Sequence, residues 1–347
     1  MPPSERFDGG FCHNKTIDPA VNDCSDKAQP VQRQENAPTG AVLLFTKILF
    51  CGTISVGRMC VFMKTGLVLE GGAMRGLFSA GVTDVMMENG ISFNCLVGVS
   101  AGAAFGCNYK SGQNGRAVRY NTRFAKDKRY CSTRSLIRTG DLFGAEFCYH
   151  TVPNKLDVFD REAFNNSNME FYVVCTDVYT GKPVYHLCGE VDDKLYEWFR
   201  ASASMPLVSK PVKVGGKTML DGGMSDSIPL EFMINKGYDK NVVVLTQARD
   251  YIKEKASAMG IIRLSLRKYP NMIKCIENRH EMYNKQREYI FEQEKLGGAL
   301  LICPEEKLPV GRIEHDADVL RKVYKIGRDT AEKQLDKIKE YIKKEDE

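Results

Sequence analysis

Twice between Thr65 and Tyr109 a short apolar run ends in a glycine-rich turn and passes into a helix-period pattern. The first copy is Thr65 to Glu70, then Gly71-Gly72-Ala73-Met74-Arg75-Gly76, then Leu77/Gly81/Val85 and Phe78/Val82/Met86 at i, i+4 spacing as far as Gly90. The second is Cys95 to Val99, a turn around Ser100, and a small-residue helix from Ala101 to Tyr109. Continuous apolar runs of this length suit strands buried on both faces, and such strands belong to parallel sheets joined by crossover helices. The chain is thereby confined to α/β architectures. Further strands are predicted at Met169 to Thr176, Val184 to Leu187, around Met219-Leu220, at Asn241 to Thr246 and at Ala299 to Cys303. Helices are predicted at Asp192 to Ala203, Leu230 to Lys236, Asn271 to Lys295 and Asp316 to Lys344, the last with a stripe of Val319, Val323, Ile326, Leu335, Ile338 and Ile342. Alternation of this kind predicts a mostly parallel central sheet with helices on both faces.

The same pattern divides the chain. Residues 1–62 hold six basic and six acidic side chains, so the net +5 of the 347 residues belongs to residues 63–347. Pro, Asn, Asp, Gln and Ser dominate Met1 to Gly40 without periodicity, which predicts a poorly ordered extension. Ala41 to Phe62 is apolar, but it is broken by Lys47 and Arg58 with only ten residues between them, short of the roughly 20 residues a membrane span needs. Met63 is therefore read as the start of the folded core, with residues 1–62 an upstream extension or a misassigned start. The core is predicted to run over 63–248, with a mainly helical extension, 249–347, packed on it. Twelve cysteines are scattered without a C-x-x-C pair, and Cys95, Cys107, Cys175 and Cys188 lie in apolar surroundings, which predicts reduced thiols and a cytoplasmic protein. Neither zinc spacing nor a calcium loop occurs, so no metal or cofactor is called for.

Three constellations carry chemistry. Gly71 to Gly76 joins a strand to a helix, where successive backbone N–H groups and the positive helix end suit anionic oxygen. A dinucleotide fingerprint would want glycine at Ala73 and an acid where Asn89-Gly90 stands. Gly98-Val99-Ser100-Ala101-Gly102 has the G-x-S-x-G pattern at a strand-to-helix junction, the context in which a serine Oγ is pushed out at the carboxyl edge of a sheet. Serine needs a base. Of five histidines, His280 falls in a charged helix and His315 in a polar turn, whereas Asp221-Gly222-Gly223 directly follows a strand end, making an aspartate a candidate base.

These residues, with Ala201-Ser202-Ala203-Ser204-Met205-Pro206, resemble in order and spacing the motifs of the patatin-like phospholipase family, in its bacterial-type branch of lipid acyl hydrolases. The resemblance spans about Thr65 to Gln247, and no motif after Gln247 matches. It implies a three-layer α/β/α patatin-like fold and a serine esterase of phospholipase or lysophospholipase type. It further implies a Ser–Asp dyad, with Ser100 as nucleophile, Asp221 as general base within the Gly222-Gly223 motif, and Gly98 and Gly102 forming the elbow. The loop Gly71, Gly72, Ala73, Met74, Arg75, Gly76 would supply the oxyanion hole. Ala73 replaces the family's third glycine and is the least secure member of that loop. Arg75 suits either a salt bridge holding the loop closed or a hold on substrate phosphate, with the structural role favoured.

Between Lys110 and Arg138 nine basic residues face one acid, Asp127. This stretch is read evenly as a docking face for anionic membrane or as a solvated helix face. No motif for nucleic acid accompanies it. The expected partner is a lipid or other acyl-ester substrate, and the expected location cytoplasmic with peripheral membrane contact. Two further readings of the same residues are an acyltransferase passing the acyl group to an alcohol or thiol, and a lipid-binding module with a dead site.

Overall fold

The structure, a computed structural model, describes residues 63–343; the readings of residues 1–62 and of the last residues of the final helix lie outside the described residues. Eight strands form one sheet: β1 (Thr65–Leu69), β2 (Cys95–Val99), β3 (Glu170–Asp177), β4 (Pro183–Leu187), β5 (Val212–Val214), β6 (Lys217–Asp221), β7 (Lys240–Val244) and β8 (Ala299–Ile302). Strands β3, β2, β1, β7 and β8 pair in parallel, while β4 and β6 run antiparallel to β3 and β5 pairs with β6. Helices in chain order are α1 (Gly76–Glu88), α2 (Ala101–Lys110), α3 (Arg116–Phe124), α4 (Thr133–Thr139), α5 (Arg161–Asn166), α6 (Asp193–Ser202), α7 (Leu230–Asn235), α8 (Met259–Ser265), α9 (Pro270–Lys295), α10 (Ala317–Lys333) and α11 (Leu335–Ile342).

Period-two alternation along the parallel strands sorts the core into two faces. Leu67, Leu69, Leu96, Val242, Val244, Leu300 and Ile302 pack with Phe78, Val82, Leu320 and Val323 of α1 and α10. Val68, Val97, Val99, Val243 and Leu301 pack with Leu230 and Met233 of α7 and Tyr283 and Ile290 of α9. The result is three layers, α/β/α. Facing glycines let α1 and α10 approach backbone to backbone: a Cβ at Gly81 would fall onto the Tyr324 carbonyl, and one at Gly327 onto the Phe78 carbonyl.

One feature of the register positions the site. Residues Tyr172 to Thr176 of β3 hold β4 on one edge. The opposite edge is divided: Glu170 to Val174 hold β2, and Cys175 to Asp177 hold β6. Strands β2 and β6 therefore lie end to end along the same edge of β3, with their carboxyl ends meeting. Asp221 closes one strand and Ser100 follows the other.

Two sequence expectations differ from the structure. The last predicted helix is broken at Gln334 into α10 and α11, and Leu320, rather than Val319, takes the buried position in its stripe. Strand β5, the short helices α3, α4, α5 and α8, and a wide helix over Phe147–Leu156 were not anticipated. These elements are short, and a ten-residue wide turn follows neither the 3.6 nor the 2.0 period. Among the described residues no helix is long and apolar enough to cross a membrane.

Candidate functional site

Ser100 sits between β2 and α2 with φ 55° and ψ −118°, a backbone region that non-glycine residues occupy only under strain. The flanking glycines make this turn physically available. A Cβ at Gly98 would come 2.6 Å from the Gly102 carbonyl oxygen, and one at Gly102 would fall onto the Leu69 carbonyl oxygen. The turn is held from beneath by Ser202, whose Oγ accepts the Ser100 N–H at 2.9 Å and donates to the Val174 carbonyl at 2.7 Å. That bond bridges the gap in the ladder where the carboxyl ends of β2 and β6 meet.

Asp221 is buried beside Ser100. Its backbone N–H donates to the Ser204 carbonyl at 2.8 Å, and its Oδ1 accepts the Gly223 N–H at 2.8 Å. Gly222 lies against β3 so closely that a Cβ would strike the Val174 carbonyl. Burial raises the Asp221 carboxyl above the ordinary carboxylate value, and the Ser100 side chain, Arg279, the Gly223 N–H and Arg312 draw it partly back.

The loop from Gly71 to Gly76 wraps the other side of Ser100. A Cβ at Gly71 would come 2.8 Å from Ser100 Cβ, and one at Gly76 would come 2.7 Å from Ala101 Cβ. Ala73 has φ 50°, the left-handed conformation that its missing glycine would have taken without strain. Two amides of the expected oxyanion set are occupied: the Arg75 N–H donates to the Gly72 carbonyl at 3.1 Å, and the Gly76 N–H is turned to the Ala73 and Met74 carbonyls. First-turn amides have no intrahelical acceptor, so the donors available to a ligand narrow to Gly71, Gly72, Ala73 and Met74. The salt bridge expected of Arg75 is not among the described contacts, and its Nε is buried without a hydrogen-bond partner. The loop is instead tied down by Glu70, whose Oε2 accepts from the Thr246 N–H at 2.6 Å and whose Oε1 accepts from Tyr283 Oη at 2.7 Å.

Two cavities meet at Ser100. The larger, about 1190 Å³ of empty space, is apolar and lined by residues such as Ala104, Phe105, Tyr120, Tyr149, Val152 and Val208. The smaller, about 500 Å³, is polar and brings together Asp221, Glu70, Arg75, Lys253, Arg279 and Arg312. No histidine lines either cavity among the described residues.

A family model for the patatin-like phospholipases matches residues 67–234, and one for a domain of unknown function (DUF6363) matches residues 269–343. Residues 67–234 are a patatin-like phospholipase domain. This domain holds the elbow, the loop and Asp221. Relatives include an uncharacterised Escherichia coli protein, YjjU, 30% identical over 53% of this chain and 52% of that protein. The lysophospholipase nte1 of Aspergillus fumigatus is 28% identical over 52% of this chain and 12% of that protein. An uncharacterised NTE family protein of Mycobacterium tuberculosis, Rv2565, is 27% identical over 58% of this chain and 33% of that protein. The aligned region is thus about half, or much less, of each relative's length.

Sequence reasoning missed Ser202 as a brace, and it missed Lys253, Arg279 and Arg312 at the site. A signal for part of this was present: Arg279, Tyr283 and Gln286 are spaced i, i+4, i+7 on a predicted helix. In α9 these side chains reach the Gly223 carbonyl (2.5 Å), Glu70 (2.7 Å) and Asp226 (2.5 Å). The basic stretch is largely accounted for internally. Lys110 donates to the Ser167 and Met169 carbonyls, Arg116 and Arg119 pair with Asp157, Arg123 donates to the Leu156 carbonyl, and Arg129 pairs with Asp127. Tyr120 and Tyr130, interleaved with these cations, turn inward to line the apolar cavity. Lys126, Lys128, Arg134 and Arg138 are exposed.

Proposed function

We propose that this protein hydrolyses lipid acyl esters through a Ser100–Asp221 dyad and an acyl-enzyme. The observation that carries the reading is the end-to-end meeting of β2 and β6, which sets a strained serine beside a buried carboxylate at the mouth of an apolar cavity. The family model and the lysophospholipase name of a relative support a lipid ester as the substrate class.

In this mechanism Asp221 accepts the Ser100 hydroxyl proton as Oγ attacks the ester carbonyl carbon. The tetrahedral oxyanion is met by the N–H groups of Gly71 to Met74, each such donor being worth about 10²–10³ in rate. Collapse breaks the bond to the alcohol, which leaves with the proton held by Asp221. Water then attacks the acyl-enzyme, gives its proton to Asp221, and releases the fatty acid as the proton returns to Ser100. A raised Asp221 pKa suits a base that must give its proton back, while burial keeps the carboxylate from being solvated by bulk water.

Ser100→Ala is expected to abolish turnover and covalent labelling by a fluorophosphonate. Asp221→Asn should lower kcat by about 10²–10⁴-fold with the thermal midpoint retained. Wild-type hydrolysis by a folded Ser100→Ala protein would refute the assignment.

A further inference from the structure

The polar chamber is built by residues from several parts of the chain. Arg75 comes from the glycine loop, Lys253 from the segment after β7, Arg279 from α9 and Arg312 from the segment between β8 and α10. None of the four makes an ion pair among the described residues, although sixteen such pairs are formed elsewhere. Their company in the chamber is two carboxylates, Glu70 and Asp221. Glu70 is already engaged by Thr246 and Tyr283, and Asp221 is turned to the Gly223 N–H and Ser100. Four basic side chains against two carboxylates leave the chamber electropositive, in a place where Arg75 Nε is buried and has no acceptor. Among the described residues the Arg279 guanidinium makes one hydrogen bond, from Nε to the Gly223 carbonyl at 2.5 Å. Its two terminal nitrogens are left for a ligand.

Burying like charges together is unfavourable unless an opposite charge joins them. Lys253 records this: burial and the neighbouring Arg279 push its ammonium down to about 7, Glu70 raises it, and Arg75 and Arg312 lower it further. The chamber shares Ala73, Ser100 and Met205 with the apolar cavity, so a ligand spanning both has its junction at the Ser100 hydroxyl. An acyl chain on one side and a phosphate oxyanion on the other is the chemistry that fits, since a phosphomonoester carries about −1.5 to −2 charges near pH 7.

We propose that Arg75, Lys253, Arg279 and Arg312 form a phosphate subsite that selects acyl esters bearing an anionic phosphate near the scissile bond, and that residues after 248 supply three of its four cations. Recognition of the substrate's charge is thereby assigned to the segment that includes the domain of unknown function, while the patatin-like domain supplies the reacting groups. The inference rests on the reading of Ser100 as the reactive centre.

The test compares kcat/KM for three lysolipids with one acyl chain: the glycerol phosphomonoester, the choline phosphodiester and the uncharged monoacylglycerol. The phosphomonoester is expected to be preferred, and Arg312→Gln and Lys253→Gln should each lower the ratio of phosphomonoester to monoacylglycerol about tenfold or more, as for loss of a charge-assisted hydrogen bond. Arg312→Lys should restore part of the ratio. Arg312 is exposed and makes no hydrogen bond among the described residues, so its replacement does not threaten folding. Inorganic phosphate is the second arm. Competitive inhibition of monoacylglycerol hydrolysis that weakens in Arg312→Gln, together with the lipid ratio, supports the subsite. Phosphate inhibition with no lipid discrimination overturns the headgroup assignment and points to free phosphate. An unchanged ratio in both glutamine variants, with Ser100→Ala inactive, overturns the subsite and leaves the hydrolase reading standing. An active Ser100→Ala protein removes both.

Discussion

In the apolar chamber the two lining arginines are matched: Arg116 is 3.3 Å from Asp157, and Arg200 is 3.1 Å from Asp141. Across Ser100, Arg75, Lys253, Arg279 and Arg312 converge without such partners among the described residues. Charges in the first chamber are compensated within the protein and leave its aromatic and aliphatic walls to set the environment. Charges in the second are compensated only in part by Glu70 and Asp221, and the excess is left for whatever enters. The contrast teaches that a serine and a carboxylate do not by themselves define what this site takes; the two environments that meet there do.

The largest effect expected from attacking this contrast is at Ala104, which faces the apolar chamber from α2. Ala104→Phe fills part of the space. Each excluded methylene forfeits about 0.8 kcal/mol, so shutting out about four of them lowers kcat/KM for long-chain esters roughly hundredfold relative to short-chain ones. A series of aryl esters of increasing chain length reads this directly. If all lengths lose activity equally, the chamber does not hold the acyl chain.

Next in size is the brace that joins the strand ends. Ser202 is fully buried, and Ser202→Ala strands the Ser100 N–H and one lone pair of the Val174 carbonyl. Leaving a buried donor unsatisfied costs about 1–3 kcal/mol. The midpoint of urea unfolding should fall accordingly, and an unchanged midpoint would show that water replaces the hydroxyl.

How much of this was legible depends on how local each constraint is. The elbow could be read because the need for Gly98 and Gly102 arises within a few residues, and in the structure their missing side chains are what let the turn close. Strands β1, β2, β7 and β8 could be read because burial on both faces writes a continuous apolar run. That Asp221 reaches Ser100 could be matched to a motif, but no local pattern dictates it, because it depends on β6 taking the free part of one edge of β3. The turn that delivers β6, at Gly215-Gly216, follows a strand of only three residues. The basic stretch looked like a charged surface because its compensating groups, Asp157 and the Leu156 carbonyl, stand outside it in the sequence. Lys253, Arg279 and Arg312 share no local pattern: they come from the segment after β7, from α9 and from the segment between β8 and α10, and only tertiary packing brings them to Ser100.

A smaller, directional effect separates the two roles of Arg279. Its positive charge lowers the Asp221 pKa, against the rise from burial. In the proposed mechanism Asp221 must be ionised to accept the serine proton, so activity is expected to fall as pH drops through that pKa. Removing the charge lets the pKa rise further, and the acidic limb of kcat/KM for an uncharged ester moves to higher pH in Arg279→Gln. Glutamine retains a donor for the Gly223 carbonyl, so loop geometry is preserved. A limb that stays in place while turnover falls would mean that Arg279 acts on the loop and not on the charge of Asp221.

The smallest effect is expected at Ala73, where two opposing terms nearly cancel. An alanine in the left-handed region costs roughly 1–2 kcal/mol relative to an unstrained conformer, and its φ of 50° places it there. Glycine removes that strain but adds about 0.4–1 kcal/mol of unfolded-chain entropy. Ala73→Gly should therefore stabilise the protein by about 1 kcal/mol or less, seen as a small rise in the unfolding midpoint. The functional term has the opposite sign. Ala73 belongs to both chambers, and a looser backbone holds the Gly72 and Ala73 amides less firmly toward a developing oxyanion. A stabilised Ala73→Gly enzyme with a slightly lower kcat and an unaltered preference between charged and uncharged substrates would locate the strain in the oxyanion loop. A shift in that preference would instead tie Ala73 to the phosphate side.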